Sequence, residues 1–107
     1  MALDIQIIHR LAAGDHIALK RHMVLRMYQR EIMSDEIKEA LISSSIVEEY
    51  QADKPLPSAL VLGYTSKERP LHVVVAVEEH GELVWAITAY EPAEDEWEKG
   101  FLKRRKK

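Results

Sequence analysis

Apolar and polar residues follow two different periods along this chain. Up to residue 42 the apolar positions recur every three to four residues; beyond residue 45 they alternate or run on continuously. The first period predicts helices and the second strands. Asp4 to Ala13 reads as a first helix, with Ile5, Ile8, Leu11 and Ala12 on one face and Gly14 suited to ending it. Ile17 to Ile32 reads as one longer second helix. At about 100° per residue, Met23, Val24, Met27 and Tyr28 gather on its inner face, and His22, Arg26, Gln29 and Arg30 on its outer one. Ser34 is suited to capping a third, short helix, with Asp35 and Glu36 in its first turn and Ile37, Ala40 and Leu41 as its buried stripe.

The strand period predicts four strands: Ile46 to Tyr50, Ala59 to Tyr64, Leu71 to Val77 and Leu83 to Tyr90. A loop with two prolines separates the first pair, and a turn at 78–82 containing Gly81 separates the last. Connections this short make neighbouring strands antiparallel. Pro92 then ends the strand, and Ala93 to Lys103 reads as a final helix with Trp97 and Phe101 as its apolar contact. The expectation is a single α+β domain over residues 1–107: N-terminal helices, a four-stranded antiparallel sheet and a C-terminal helix.

Composition narrows the chemistry. The 107 residues are 47% apolar, enough for one core. No cysteine is present, which excludes disulfides, thiolate zinc sites and cysteine nucleophiles. The longest apolar run, Val73 to Val77, is far too short to span a bilayer. The first six residues lack a basic start followed by an apolar stretch, so no signal peptide is expected and a cytoplasmic location is. Net charge is −3, yet residues 99–107 hold six bases and no acid, leaving −9 on the rest. A second basic cluster comprises Lys20, Arg21, Arg26 and Arg30. An acidic body with two basic patches suits local RNA binding only where those patches meet. The tail is expected to be a disordered, solubilising end rather than a docked or phosphate-contacting arm.

Four positions are candidates for chemistry. His22, Arg26 and Arg30 stand at i, i+4 and i+8, within about 80° on one helix face. Such a row can grip a phosphate, because arginine offers planar, permanently charged forks and histidine exchanges a proton near neutrality. It can equally be a solvated face paired with Glu31 and Asp35. His72 lies inside an apolar strand, alternating with Val73 and Val75, as either a hydrogen-bonded core residue or an acid–base group on a rigid element. Tyr90 and Tyr64 each close a strand, where a hydroxyl can face a cleft or simply cover the core. No histidine pair has metal-ligand spacing, and no glycine-rich phosphate loop exists, so neither metal nor cofactor is expected.

The succession His22-x-x-x-Arg26-Met27-x-x-Arg30-x-Ile32, Asp35-Glu36-Ile37, Pro57-Ser58-x-Leu60-Val61-Leu62-Gly63, Arg69-Pro70-Leu71-His72-Val73-Val74-Val75-Ala76 and Ile87-Thr88-Ala89-Tyr90-Glu91-Pro92, followed by Trp97, resembles the bacterial domain of unknown function 4258 family. The resemblance implies a RelE-like fold and distant kinship with RelE-like and MqsR-like toxins. It implies metal-independent endoribonuclease activity, an RNA platform on the sheet, and a zinc-finger or helix-turn-helix antitoxin as partner. Two positions depart from the pattern: Glu31 stands where relatives often carry glycine, and Ala59 where they often carry cysteine.

The reading that follows is an RNA-cleaving toxin in which a base activates the ribose 2′-hydroxyl against the adjacent phosphate. His22 and His72 are the expected proton carriers, Arg26 and Arg30 the phosphate ligands, Tyr90 a supporting donor and Tyr64 a substrate contact. If a single histidine serves, it is His22. The rival reading is a non-catalytic protein-binding module on a toxin-like fold; a small-molecule enzyme is a third.

Overall fold

A computed structural model describes residues 4–78 and 82–106. Helix α1 (Ile5–Ala13) starts where Asp4 accepts a hydrogen bond from the Gln6 amide at 2.9 Å. It buries Ile8, Leu11 and Ala12, as its spacing predicts. The next element is strand β1 (Ile17–Leu19), then come helices α2 (Arg21–Gln29) and α3 (Ser34–Ile42), and strands β2 (Ser45–Tyr50), β3 (Ser58–Tyr64), β4 (Pro70–Glu78) and β5 (Leu83–Tyr90).

The sheet has five strands in the order β1-β5-β4-β3-β2, and β1 runs parallel to β5. This corrects the expected four-stranded antiparallel sheet. Three residues, Ile-Ala-Leu, are too few to show a strand period, and they extend the α2 pattern in sequence. Pairing of Ile17, Ala18 and Leu19 with Val84, Trp85 and Ala86 draws them out instead, and the helix begins only after Lys20. The expected C-terminal helix is also absent. Gly100 and Phe101 both take positive φ, 94° and 61°, which no α-helix admits. Residues 96–105 double back, with Trp97 bridged to Arg104 and the Arg105 amide 2.9 Å from the Glu96 carbonyl.

The core lies between the three helices and one sheet face. Val73, Val75, Val61, Val84 and Ala86 meet Ile8, Leu11, Met23, Ile37 and Leu41, all fully or almost fully buried. Helix α3 comes closest at Gly63, where a Cβ would lie 1.8 Å from the Ala40 carbonyl oxygen. Ile37, Ala40 and Leu41 are buried as expected, but Met33 rather than Ser34 is the capping position, its amide held by Glu36 at 2.9 Å. In α2 only Met23 and Met27 face the core. Val24 and Tyr28, assigned to that face by the pattern, are exposed, because α2 rests chiefly on β5 and buries a narrow stripe. The expected turn around Gly81 falls largely outside the described residues. Among those described, no helix is long and apolar enough to cross a membrane.

Candidate functional site

The second sheet face, turned away from the helices, carries His72, Val74 and Ala76 on β4, paired in register with Tyr90, Thr88 and Trp85 on β5. Strand β1 covers only Val84 to Ala86 of β5. Beyond that, the β5 edge has no strand partner among the described residues, and α2 takes its place. Arg30, which follows the last turn of α2, reaches across: its Nη1 donates to the Ala89 carbonyl at 2.7 Å and lies 3.5 Å from Thr88 Oγ1. An edge carbonyl that would otherwise need water thus holds one guanidinium in place.

His22, Arg26 and Arg30 are all exposed, one turn apart on one face. Each step rises about 6 Å along the helix, so His22 stands about 12 Å up the axis from Arg30. The backbone beneath Arg30 is fixed by Arg69. Its Nη2 donates to the Arg30 carbonyl at 3.1 Å and its Nη1 to the Glu31 carbonyl at 2.8 Å. The same guanidinium holds Glu36 at 3.2 Å and Glu91 at 2.9 Å. One arginine therefore ties the end of α2, the start of α3 and the residue after Tyr90. Glu31 itself has φ 55°, the left-handed region that glycine enters without penalty.

His72 is fully buried. Its Nε2 lies 2.8 Å from the Phe101 carbonyl, an acceptor only, so Nε2 carries the proton. Nδ1 is then the acceptor for the Tyr90 hydroxyl at 3.3 Å. Burial pulls the His72 pKa below the ordinary histidine value and keeps the ring neutral. Trp97 packs edge-on against it at 4.4 Å between centroids, and Arg104 lies over the Trp97 ring at 4.6 Å. Arg104 also grips Glu48 with two bonds, 2.9 and 3.1 Å, and holds that carboxyl below its usual range. The tail expected to be disordered is therefore docked through Arg104 and Arg105 and seals His72; Lys107 lies outside the described residues.

Tyr90 is half-buried, and burial pushes its hydroxyl above the ordinary tyrosine range, with Arg104 and Arg30 opposing the shift. The structure brings Arg30, Thr88 and Tyr90 together at the end of β5, sets Arg26 and His22 in line above them, and places His72 behind Tyr90, out of solvent. Tyr64 stands exposed at the end of β3, across β4 from β5. Sequence reasoning missed Arg69 and Thr88 as parts of this arrangement. Arg69 precedes Pro70 at a strand start, but its acceptors come from segments 22 to 39 residues away, which no local spacing reveals.

The family model described as a domain of unknown function (DUF4258) matches residues 19–91. The chain belongs to the DUF4258 family. No curated protein and no solved structure matches it. The DUF4258 match runs from the end of β1 to the residue after Tyr90. It includes the His22–Arg26–Arg30 row, Arg69, His72 and Tyr90, and leaves out α1 and the segment carrying Trp97 and Arg104.

Proposed function

We propose that this DUF4258 domain is a metal-independent endoribonuclease of the toxin kind, acting at the α2 flank of β5. The observation that carries the reading is the Arg30 guanidinium pinned between Ala89 and Thr88 beside Tyr90, with Arg26 and His22 free above it in one row. Two permanent cations, Arg30 anchored and Arg26 one turn away, can hold the non-bridging oxygens of a phosphate as charge builds on them. His22 takes the proton of the ribose 2′-hydroxyl as that oxygen bonds to phosphorus. The bond to the 5′-oxygen breaks, and that oxygen takes a proton from water; the Tyr90 hydroxyl, whose own hydrogen is held by His72 Nδ1, positions the RNA as an acceptor. His72 is a positioning residue in this scheme: neutral and locked to Phe101, it aims the Tyr90 hydroxyl rather than exchanging protons with RNA.

A protein-binding module is the second reading. The exposed Val24, Leu25, Tyr28 and Met33 on and just beyond α2 favour it, since apolar side chains grouped on one surface suit a protein partner such as an antitoxin. Inducible expression in a bacterium, with growth and RNA integrity followed together, separates the two. A positioned base contributes about 10²–10⁴ in rate. Wild type should arrest growth and fragment RNA, and His22→Ala should restore growth while melting at the wild-type temperature, since His22 is exposed. Growth and intact RNA with the wild-type protein would hand the site to the binding module.

A further inference from the structure

A cavity of about 140 Å³ opens on the second sheet face, towards the other end of β5 from Tyr90. Its floor is the row Trp85, Ala76 and Ser58, successive partners across β5, β4 and β3. Two of the three are small, so the floor drops beside the indole. Asp53 and the 54–56 loop wall one side, and Lys20, Ile87 and Glu78 the other. The space is roomy enough for several waters. It is well below the roughly 300–1,000 Å³ of pockets that enclose drug-sized ligands. One small planar group fits.

The polar atoms say which. The Trp85 indole N–H donates to Glu78 Oε1 at 2.7 Å, and the Ser58 hydroxyl donates to Asp53 Oδ2. Each bond fixes a carboxylate at the cavity and leaves its second oxygen without a partner among the described residues. The Lys20 ammonium already sits over the Trp85 ring, 4.6 Å from its centroid, and Lys54 lines the same cavity. Two lysines balance two carboxylates, so a cationic guest gains nothing there. The guest that matches is neutral and planar, with adjacent N–H donors on one edge. Guanine has that edge, N1–H beside its 2-amino group. Adenine and cytosine set one amine beside an acceptor nitrogen, and uracil flanks its single N–H with carbonyls that a carboxylate repels.

We propose that this cavity is a guanine-binding subsite, stacking the base against Trp85 and reading its donor edge with Glu78 or Asp53. The inference rests on the ribonuclease reading for its biological meaning. Trp85, Thr88 and Tyr90 share one strand and one face, so a base held here would belong to a nucleotide flanking the phosphate at Arg30.

The test is a titration of the folded protein with GMP, AMP, CMP and UMP, following the Trp85 indole N–H by NMR. GMP should shift that signal saturably and the others far less. Glu78→Gln, which replaces one acceptor oxygen by a donor, should weaken GMP by about tenfold or more, as loss of a bidentate base contact does. Ala76→Leu should fill the floor and abolish the shift. Four nucleotides behaving alike, no shift with any, or Glu78→Gln and Ala76→Leu both binding as wild type would overturn the proposal. A short guanine-containing oligoribonucleotide binding tighter than GMP assigns the subsite to RNA; equal binding assigns it to free nucleotide. GMP binding without any RNA cleavage would keep the cavity and end the nuclease reading. Cleavage indifferent to guanine and to Glu78→Gln would do the reverse.

Discussion

Gly63→Ala should be among the most destabilising single-methyl changes this domain can suffer. The added Cβ would lie 1.8 Å from the Ala40 carbonyl oxygen, 2.5 Å from its carbon and 2.8 Å from its Cα. Ordinary contact begins near 3.4 Å, so the shortfall is about 1.6 Å. All three atoms are backbone, so no side chain can rotate aside; α3 must lift from β3. Lifting it pulls Ile37, Ala40 and Leu41 from the core and loosens Glu36, which Arg69 holds. Overpacking a core costs about 1–3 kcal/mol when side chains can adjust. With backbone against backbone the cost should reach at least about 3 kcal/mol. At about 4–8 °C per kcal/mol for a domain near this size, the melting temperature should fall by more than about 10 °C. Urea denaturation with an unchanged slope measures it directly. A variant within 1 kcal/mol of wild type would refute the close packing of α3 on β3.

Two further outcomes follow from particular groups. Glu31→Gly should stabilise the domain by about 1 kcal/mol, because φ 55° is strained for any residue with a Cβ; a lower urea midpoint would refute this. His72 has a folded pKa below its ordinary value of about 6.5, so the unfolded chain binds a proton the folded one refuses. Its contribution is intact above that pH and is lost as pH falls from about 6.5 towards the depressed folded value. Urea midpoints at successive pH values should therefore drop through this window, and His72→Gln, which cannot titrate, should flatten that part of the profile. An identical profile for the variant would remove the buried neutral histidine from the account.

Much of the core was legible in the sequence. The spacing of Ile8, Leu11 and Ala12, of Met23 and Met27, and of Ile37, Ala40 and Leu41 marks buried stripes, and the β4 alternation separates His72 from Val73 and Val75. What stayed hidden depends on partners remote in sequence. Ile17–Leu19 is a strand because β5 lies beside it, not because of its own pattern. The segment after Pro92 has the apolar spacing of a helix, yet Gly100 turns it, and Trp97 finds the His72 ring instead of the sheet through a helix face. For the site, the α2 row could be seen from period alone. The sealing of His72, the anchoring of Arg30 and the hold of Arg69 could not, since each joins segments more than 20 residues apart.

The parallel pairing of β1 with β5 also sets an order of events during folding. Strands β2 to β5 zip through short connections, whereas Ile17 must wait for Val84, and the entropy of closing so long a loop is met only once the rest of the sheet exists. Helix α2 hangs directly from that junction, and Arg30 has no carbonyl to hold until Ala89 is in place. A ribosome releasing this chain from its N-terminus therefore exposes the basic helix long before the strand it must lie against. The surface proposed to meet RNA comes into being only once β5 has been made and Ala89 is in place.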